Sequence, residues 1–186
     1  MKNNKTLKIT IAALAAAINI VGANIALVLK LPIYLDAIGT VFSAALLGPV
    51  YGMATGIIAT GINQITDPFA IWFMPSNLIT AVMAGVIFKK FYKSYKFSPK
   101  LFAIAFIVAI PGTIISSITA AYLFGGVTSS GSSIIVQILS KMGVGMVPSV
   151  FITQVFTDYF DRLLALSLTL LIIKVLPSSL VRKVKQ

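Results

Sequence analysis

Few residues of this sequence can do acid–base or metal chemistry. Its 186 residues include only four acids, Asp36, Asp67, Asp158 and Asp161, and no glutamate, histidine or cysteine. This excludes disulfides, thiolate nucleophiles, Cys/His zinc sites and histidine catalysis. A hard-cation site would have to combine aspartates with carbonyl oxygens. No phosphate-binding loop, metalloprotease motif or nucleophile elbow occurs. We therefore expect a non-catalytic protein without a cofactor or a metal site.

Three charged residues lie close together near the C-terminus. Asp158 and Arg162 are four residues apart, so on a helix they share one face and can neutralise each other. Asp161 points elsewhere and needs a second partner. Charged residues inside apolar helices are costly and usually face the bundle interior or a cavity. We expect Asp158, Asp161 and Arg162 to form a structural ion-paired cluster. A proton relay is the alternative, for which four aspartates offer few titratable groups.

A second set of charged and aromatic residues could recognise a small molecule. Lys30 and Lys141 could meet a ligand carboxylate or phosphate, or pair with Asp36 or Asp67. Aspartate and asparagine together with Tyr34 and Trp72 would suit a pyridoxine-like or pyrimidine ring. The two aromatic residues could equally be interfacial anchors of a membrane protein. The sequence leaves both kinds of ligand open.

The elements that carry these residues are apolar helices. Hydrophobic residues make up 58% of the chain and charged residues 10%, with a mean hydropathy of +1.00. A soluble domain carries about 25% charged residues, so the composition predicts an integral membrane protein. A spanning helix needs roughly 20 apolar residues. Six apolar segments follow one another along the chain, at 7–29, 36–48, 51–65, 70–88, 101–123 and 147–175. A further short helix or partly inserted segment is predicted at 134–142.

The basic residues predict how these segments are oriented. Cytoplasmic loops of membrane proteins carry an excess of lysine and arginine. Six spans with both termini inside place 12 of the 15 basic residues on the inner side, in the N-terminal tail, the 89–100 loop and the C-terminal end. The net charge of +11 thus reflects topology rather than nucleic-acid binding. Because segments two and three are short, either a recess lined by 31–36 and 64–70 opens outward or the turn at Pro49 is submerged.

Alanines of the first segment form a flat strip. Ala12 and Ala16, and likewise Ala13 and Ala17, are small residues at i, i+4, where another helix can approach closely. The strip could pack inside the bundle. It could also be a docking face for a separate membrane protein, and the sequence does not decide between the two.

In this order and spacing, three stretches resemble the substrate-binding S components of energy-coupling factor (ECF) vitamin transporters. They are the alanine strip, Leu31-Pro-Ile-Tyr-Leu-Asp-Ala-Ile-Gly-Thr40 followed by Ala44-Ala-Leu-Leu-Gly-Pro-Val-Tyr-Gly52, and Asp158-Tyr-Phe-Asp-Arg162 followed by an apolar run. The Pro75-Ser-Asn-Leu-Ile stretch is also similar. The resemblance covers nearly the whole chain and implies a single all-α domain: an S-component-like bundle of six transmembrane helices with both termini inside.

The resemblance also implies a function. The protein would be the substrate-specific binding subunit of an ABC-type importer in a prokaryotic cell membrane. It would bind a vitamin or similar solute near the outer surface and dock through Ala12, Ala13, Ala16 and Ala17 on a transmembrane T component, which couples to two cytoplasmic ATPases. It would then topple in the lipid bilayer to deliver the solute. The implied substrate-binding residues are Tyr34, Asp36, Gln64, Asp67, Trp72, Asn77, Lys141 and Gln154.

The alternative is a self-contained small secondary permease. It would couple transport to protons or ions through Asp158 or Asp161 and would need no partner protein. Uptake into liposomes by the purified chain alone separates it from a binding subunit.

Overall fold

The described residues, 2–91 and 97–185 of a computed structural model, fold into helices and turns without a strand. The predicted inner-side residues Lys93 and Lys96 lie outside them. Short irregular helical turns at Ala70–Phe73, Thr119–Leu123 and Ser140–Val144 adjoin three of the helices. In chain order the helices are α1 (Lys2–Val28), α2 (Ile38–Leu47), α3 (Pro49–Asn63), α4 (Met74–Lys90), α5 (Lys100–Ile118), α6 (Ser132–Leu139), α7 (Met146–Val175) and α8 (Ser178–Lys185).

A helix covers most of each of the six predicted apolar segments, and α6 overlaps the predicted short one. Among the described residues, three helices are long and apolar enough to cross a membrane: Asn4–Val28, Ala70–Lys90 and Lys100–Leu123. Helices α7 and α8 would make a fourth if this pair, bent by 112°, is counted as one span. Helix α2 has 10 residues and α3 has 15, which is about 15 and 22 Å of rise against the roughly 30 Å of a bilayer core. Six spans with both termini inside thus stay a prediction.

One end of the bundle is packed almost entirely with apolar side chains. The first half of α5 and the last turns of α2, α4 and α7 meet there, and the apolar face of α8 covers them. We call this region the apolar end. Burying such side chains contributes about 1.5–3 kcal/mol each. Its most buried members include Val41, Phe88, Val108, Leu166 and Leu170.

Helix α2 is fixed against α1 by a very close approach. A side chain at Gly39 would clash with the carbonyl group of Ala15. Asn19, which is fully buried on α1, accepts the Gly39 N–H at 2.6 Å and donates to Thr40 Oγ1 at 2.8 Å. These contacts satisfy groups at the start of α2 that have no intrahelical partner. They also fix the position of Asp36, which lies two residues before α2.

The chain reverses between α2 and α3 at a single residue. Gly48 has a φ of 103°, a conformation that side chains disfavour. Pro49, the first residue of α3, needs no backbone donor there. The predicted turn at Gly48–Pro49 is confirmed, and α3 begins at Pro49 rather than at Tyr51 as predicted.

Helix α8 was not predicted. Pro177 follows the end of α7, and α8 leaves at a sharp bend to pack against α1 and α2, with Val184 buried. Only eight residues long, α8 gives no span-length hydropathy signal, so nothing distinguished it from a polar tail.

Candidate substrate-binding site

A cavity of about 80 Å³ lies at the end of the bundle opposite the apolar end. Its walls come from α1, α3, α4, α5 and α7, together with the three segments 31–36, 64–72 and 125–133. We call this region the cavity end. Both segments predicted to line a recess, 31–36 and 64–70, contribute to this cavity, and its opening to the outer side stays a prediction. Of the predicted substrate-binding residues, the lining includes Tyr34, Asp36, Asp67 and Asn77.

Asp36 and Asn77 form the polar centre of the cavity wall. Asn77 lies in the first turn of α4 and is almost fully buried. Its Nδ2 donates to Asp36 Oδ2 at 2.9 Å and to Thr60 Oγ1 at 3.3 Å. Asp36 Oδ1 is shielded from solvent and has no hydrogen-bond partner among the described residues. A buried acceptor without a donor is unfavourable, so a ligand donor at this oxygen would be stabilising.

Arg162 links α7 to the segment before α2. Its guanidinium pairs directly with Asp161, and its Nη1 lies 3.9 Å from Asp36 Oδ1. Asp161 Oδ1 accepts the backbone N–H of Leu35 at 2.8 Å. Leu35 has a φ of 53°, which is uncommon for a residue with a side chain. The ion-paired α7 residues therefore hold the 31–36 segment in a shape that local preferences would not select.

The predicted ion pair between Asp158 and Arg162 is corrected by this geometry. Arg162 pairs with the adjacent Asp161 of α7 and extends toward Asp36 of the 31–36 segment. Asp158 instead faces α5, and its Oδ2 lies 3.1 Å from Ser116 Oγ. The i, i+4 rule counts only helix surface neighbours, whereas inside a bundle the long arginine reaches across to another segment.

Gln154 lies behind the cavity wall rather than in it. Its Oε1 accepts hydrogen bonds from Ser116 Oγ at 2.7 Å and Ser117 Oγ at 3.0 Å, and the residue is buried. Ser116 lines the cavity and Gln154 does not. Gln154 therefore positions α5 against α7 and can affect a ligand only through Ser116.

Three segments meet over the cavity as a rim. Ser129 Oγ donates to Asp67 Oδ2 at 2.7 Å, and Lys30 Nζ donates to the Ser129 carbonyl at 3.3 Å. The backbone N–H of Gly131 donates to the Leu31 carbonyl at 3.2 Å. Each contact joins positions about 60 to 100 residues apart in the chain. The segments 31–36, 64–72 and 125–133 thus form one cover.

Tyr34, in the 31–36 segment of this cover, contributes a hydroxyl group. Its hydroxyl lies 3.3 Å from Ser132 Oγ, and burial raises the pKa of the Tyr34 hydroxyl above its ordinary value. Tyr34 therefore stays protonated at neutral pH and can donate a hydrogen bond.

Three more of the predicted substrate-binding residues lie away from the lining. Gln64 spans its own turn, since its Oε1 accepts the Ile71 N–H at 3.0 Å and its Nε2 donates to the Pro68 carbonyl at 3.3 Å. Trp72 is half exposed, with its ring edge toward Phe124. Lys141 is exposed beyond α6. These residues were selected for chemical type, and their side-chain directions could not be known.

Several lining residues were not among the predicted substrate-binding residues. Asn24 and Asn63 line the cavity, and Asn24 Nδ2 donates to Asn63 Oδ1 at 3.2 Å and to the Ile20 carbonyl at 2.8 Å. The sequence did indicate these two asparagines, because amides within apolar helices usually face an interior or a cavity. The hydroxyl residues gave no such signal, since serine and threonine satisfy themselves on nearby backbone. These are Thr60, Thr66, Ser76, Ser116, Thr128, Ser129 and Ser130.

The alanine strip of α1 is divided between two faces. Ala12 and Ala16 are buried against the bundle, and Thr55 of α3 donates to the Ala12 carbonyl. They cannot contact a partner protein, so both are withdrawn from the predicted docking face. Ala13 and Ala17 are exposed. The 100° rotation per residue separates the two pairs, and the sequence could not tell which pair faced inward.

One comparison with known proteins identifies a family. The family model described as "ECF transporter, substrate-specific component" matches residues 7–173. No curated protein and no solved structure matches the chain.

Proposed function

This chain belongs to the substrate-specific components of ECF transporters, and we propose that it captures a water-soluble vitamin or similar small solute in the cavity beneath the three-segment cover. Components of this kind bind a substrate and are not catalysts. The observation that carries the proposal is the shielded Oδ1 of Asp36 inside a lined cavity, which accepts no hydrogen bond from the described residues and has the Arg162 guanidinium only at 3.9 Å. A binding site keeps such an acceptor because its ligand completes the hydrogen bond.

The arrangement around Asp36 suits binding from one side. The cover is held by a few long-range hydrogen bonds of exposed or half-buried side chains. Such bonds contribute about 0.5–1.5 kcal/mol each, or about 1.5–3 kcal/mol where a charged group takes part, so the cover can open without unfolding the helices beneath it. The wall beneath is fixed by α4, α5 and α7. A solute would enter as the cover opens and would be enclosed as it closes again.

We further propose that the protein lies in a prokaryotic cell membrane as a multi-pass protein with both termini inside. It would dock on a transmembrane T component, with two cytoplasmic ATPase subunits supplying the energy, and would topple to release the solute. The exposed Ala13 and Ala17 support a docking role for α1, because small residues allow another helix to come close. Large apolar side chains flank them on the same exposed surface, including Leu14 and Val21.

The contacts of Asp161 weigh against the self-contained permease. Asp161 is already committed to Arg162 and to the Leu35 N–H. A carboxylate that releases and takes up protons during transport would have to break both contacts. Asp158 accepts a hydrogen bond from Ser116 Oγ, and it remains the residue on which a permease mechanism would depend.

A ligand screen tests the proposal. The purified protein in detergent is heated with each member of a panel of water-soluble vitamins and nucleobases. A ligand present at 100 times its dissociation constant should stabilise the fold by about 2.7 kcal/mol. The hit is then tested for uptake into liposomes, with and without a T component and ATPases. Uptake by the chain alone would contradict the binding-subunit role and establish the permease.

A further inference from the structure

We infer that the cavity selects a neutral or cationic solute that presents an N–H or O–H donor to Asp36, and that it rejects anionic solutes. This inference rests on the proposed function and names the class of substrate for the same site. It is carried by three properties of the lining: its charges, its unused hydrogen-bonding groups and the position of the lysines.

The charged groups of the lining are mostly acidic. Three carboxylates, Asp36, Asp67 and Asp158, line the cavity together with one cation, Arg162. Arg162 is not free to attract an anion, because Asp161 contacts its guanidinium directly and Asp36 lies 3.9 Å away. Charges interact more strongly away from bulk water. A ligand carboxylate would therefore meet a predominantly negative surface.

Two of the three lining amides have no donor left for a ligand. Asn77 has two N–H hydrogens, and its nitrogen donates to Asp36 Oδ2 and to Thr60 Oγ1. The nitrogen of Asn24 likewise donates to the Ile20 carbonyl and to Asn63 Oδ1. An amide nitrogen has no third hydrogen to offer. The third amide, Asn63, accepts from Asn24, but at the polar centre formed by Asp36 and Asn77 the shielded group without a hydrogen bond is an acceptor, Asp36 Oδ1.

Neither lysine that could have bound a carboxylate or phosphate lines the cavity. Lys30 is at the rim, where its Nζ donates to the Ser129 carbonyl. Lys141 is exposed beyond α6. Of the two kinds of ligand that the sequence left open, the structure therefore favours the donor-bearing ring or amine over the carboxylate or phosphate.

The test uses pairs of probes that share a scaffold and differ in charge. Suitable pairs are nicotinamide and nicotinate, pantothenol and pantothenate, biotinamide and biotin, and pyridoxine and 4-pyridoxate, with thiamine as an added cation. Thermal shift and equilibrium binding are measured on the full-length protein in detergent at pH 7 and fixed salt. In every pair that binds, we expect the uncharged member to bind at least about tenfold more tightly, a difference of about 1.4 kcal/mol.

Two variants locate the effect. Asp36→Asn keeps the side-chain size, removes the negative charge and exchanges one carboxylate oxygen for an amide nitrogen. It should reduce the preference for the uncharged member at least about tenfold. Lys141→Gln, the matched control, should leave the preference unchanged. If Asp36→Asn fails to fold, as judged by gel filtration, the preference of the unaltered protein still decides the question.

The outcomes separate the inference from the function on which it rests. Tighter binding of the anionic member in any pair would overturn the inference and leave the binding function standing. Loss of binding in Lys141→Gln would also overturn it, because a lysine would then be recognising the ligand. Absence of binding by every member of every pair would contradict the proposed vitamin-binding function and the inference with it.

Discussion

The two ends of this helix bundle are held together by different physics. At the apolar end the buried side chains are mainly aliphatic and aromatic, for example Phe88 and Leu170. At the cavity end the buried groups include Asn77, Asp161 and Arg162, which are joined by directional contacts. Apolar packing is non-directional and tolerates changes that keep volume. A buried polar network fails when one partner is lost. The difference assigns rigid support to one end and recognition to the other.

Both ends join distant parts of the chain, but through different kinds of contact. At the apolar end, helices distant in sequence, such as α2 and α7, pack through their apolar faces. At the cavity end, groups from distant parts of the chain converge, such as Ser129 with Asp67 and Leu35 with Asp161. A change at the cavity end should therefore affect both stability and ligand affinity. A change at the apolar end should affect stability alone.

The largest expected effect is that of Arg162→Ala. It leaves the buried Asp161 and the half-buried Asp36 without their cation, and removing one partner of a buried pair costs about 3–5 kcal/mol. We also expect ligand binding to be lost, because the 31–36 segment is released. Unfolding of the detergent-solubilised protein and the ligand-induced thermal shift measure the two effects. The exposed Arg182→Ala is the control, with an expected change within about 0.5 kcal/mol. Equal effects of the two substitutions would refute the ion-pair role.

Leu166→Ala tests the other end. The side chain is fully buried, and such truncations cost about 2–5 kcal/mol through lost burial and the cavity left behind. Affinity of the folded protein for its ligand should change by less than about twofold, or about 0.4 kcal/mol. Stability is measured by unfolding, and affinity by equilibrium binding well below the transition temperature. A large loss of affinity with modest loss of stability would break the division between the two ends.

Much of the apolar end could be predicted from the sequence. Hydropathy and turn residues located six helices, and Gly48–Pro49 was recognised as a turn because both residues have strong local preferences. At the cavity end, the segments 31–36 and 64–70 were also expected beside a recess. Helix α8 was missed because eight amphipathic residues carry too little apolar length for a hydropathy signal.

The site was predicted less completely for a physical reason. Residue type indicates which groups can bind a solute, and it correctly selected Asp36 and Asn77 as lining residues. It does not give side-chain direction. Gln154 therefore lies behind Ser116, and Lys141 lies outside. Arg162 likewise pairs with the adjacent Asp161 and approaches Asp36 of a segment distant in sequence, instead of pairing with Asp158 one turn away.

A smaller effect is expected for Asn77→Ala. Removing the donor leaves Asp36 Oδ2 unsatisfied and should weaken ligand binding by about 1–3 kcal/mol. Thr80→Ala is the matched control, one turn further along α4. Its hydroxyl bonds to the Ser76 carbonyl of its own helix, and it does not line the cavity. Equilibrium binding measures both variants. Equal affinities of Asn77→Ala and the unaltered protein would move ligand recognition away from this part of the wall.

The smallest expected effect on stability is that of Ala13→Leu, because Ala13 lies on the outer surface of α1. Ala13 is exposed, so the larger side chain should change stability by no more than about 0.5 kcal/mol. Ala16→Leu is the matched comparison. Ala16 is 2% exposed, and overpacking there should cost about 1–3 kcal/mol.

The same pair of variants separates packing from docking. If α1 contacts a T component through its exposed alanines, Ala13→Leu should reduce co-purification of that partner while ligand binding by the isolated chain stays unchanged. A bulky leucine would hold the two helices apart where small residues allow close approach. Normal assembly of Ala13→Leu, together with a destabilised Ala16→Leu, would show that the strip acts only within the bundle. The apolar end would then support the cavity without providing the docking surface.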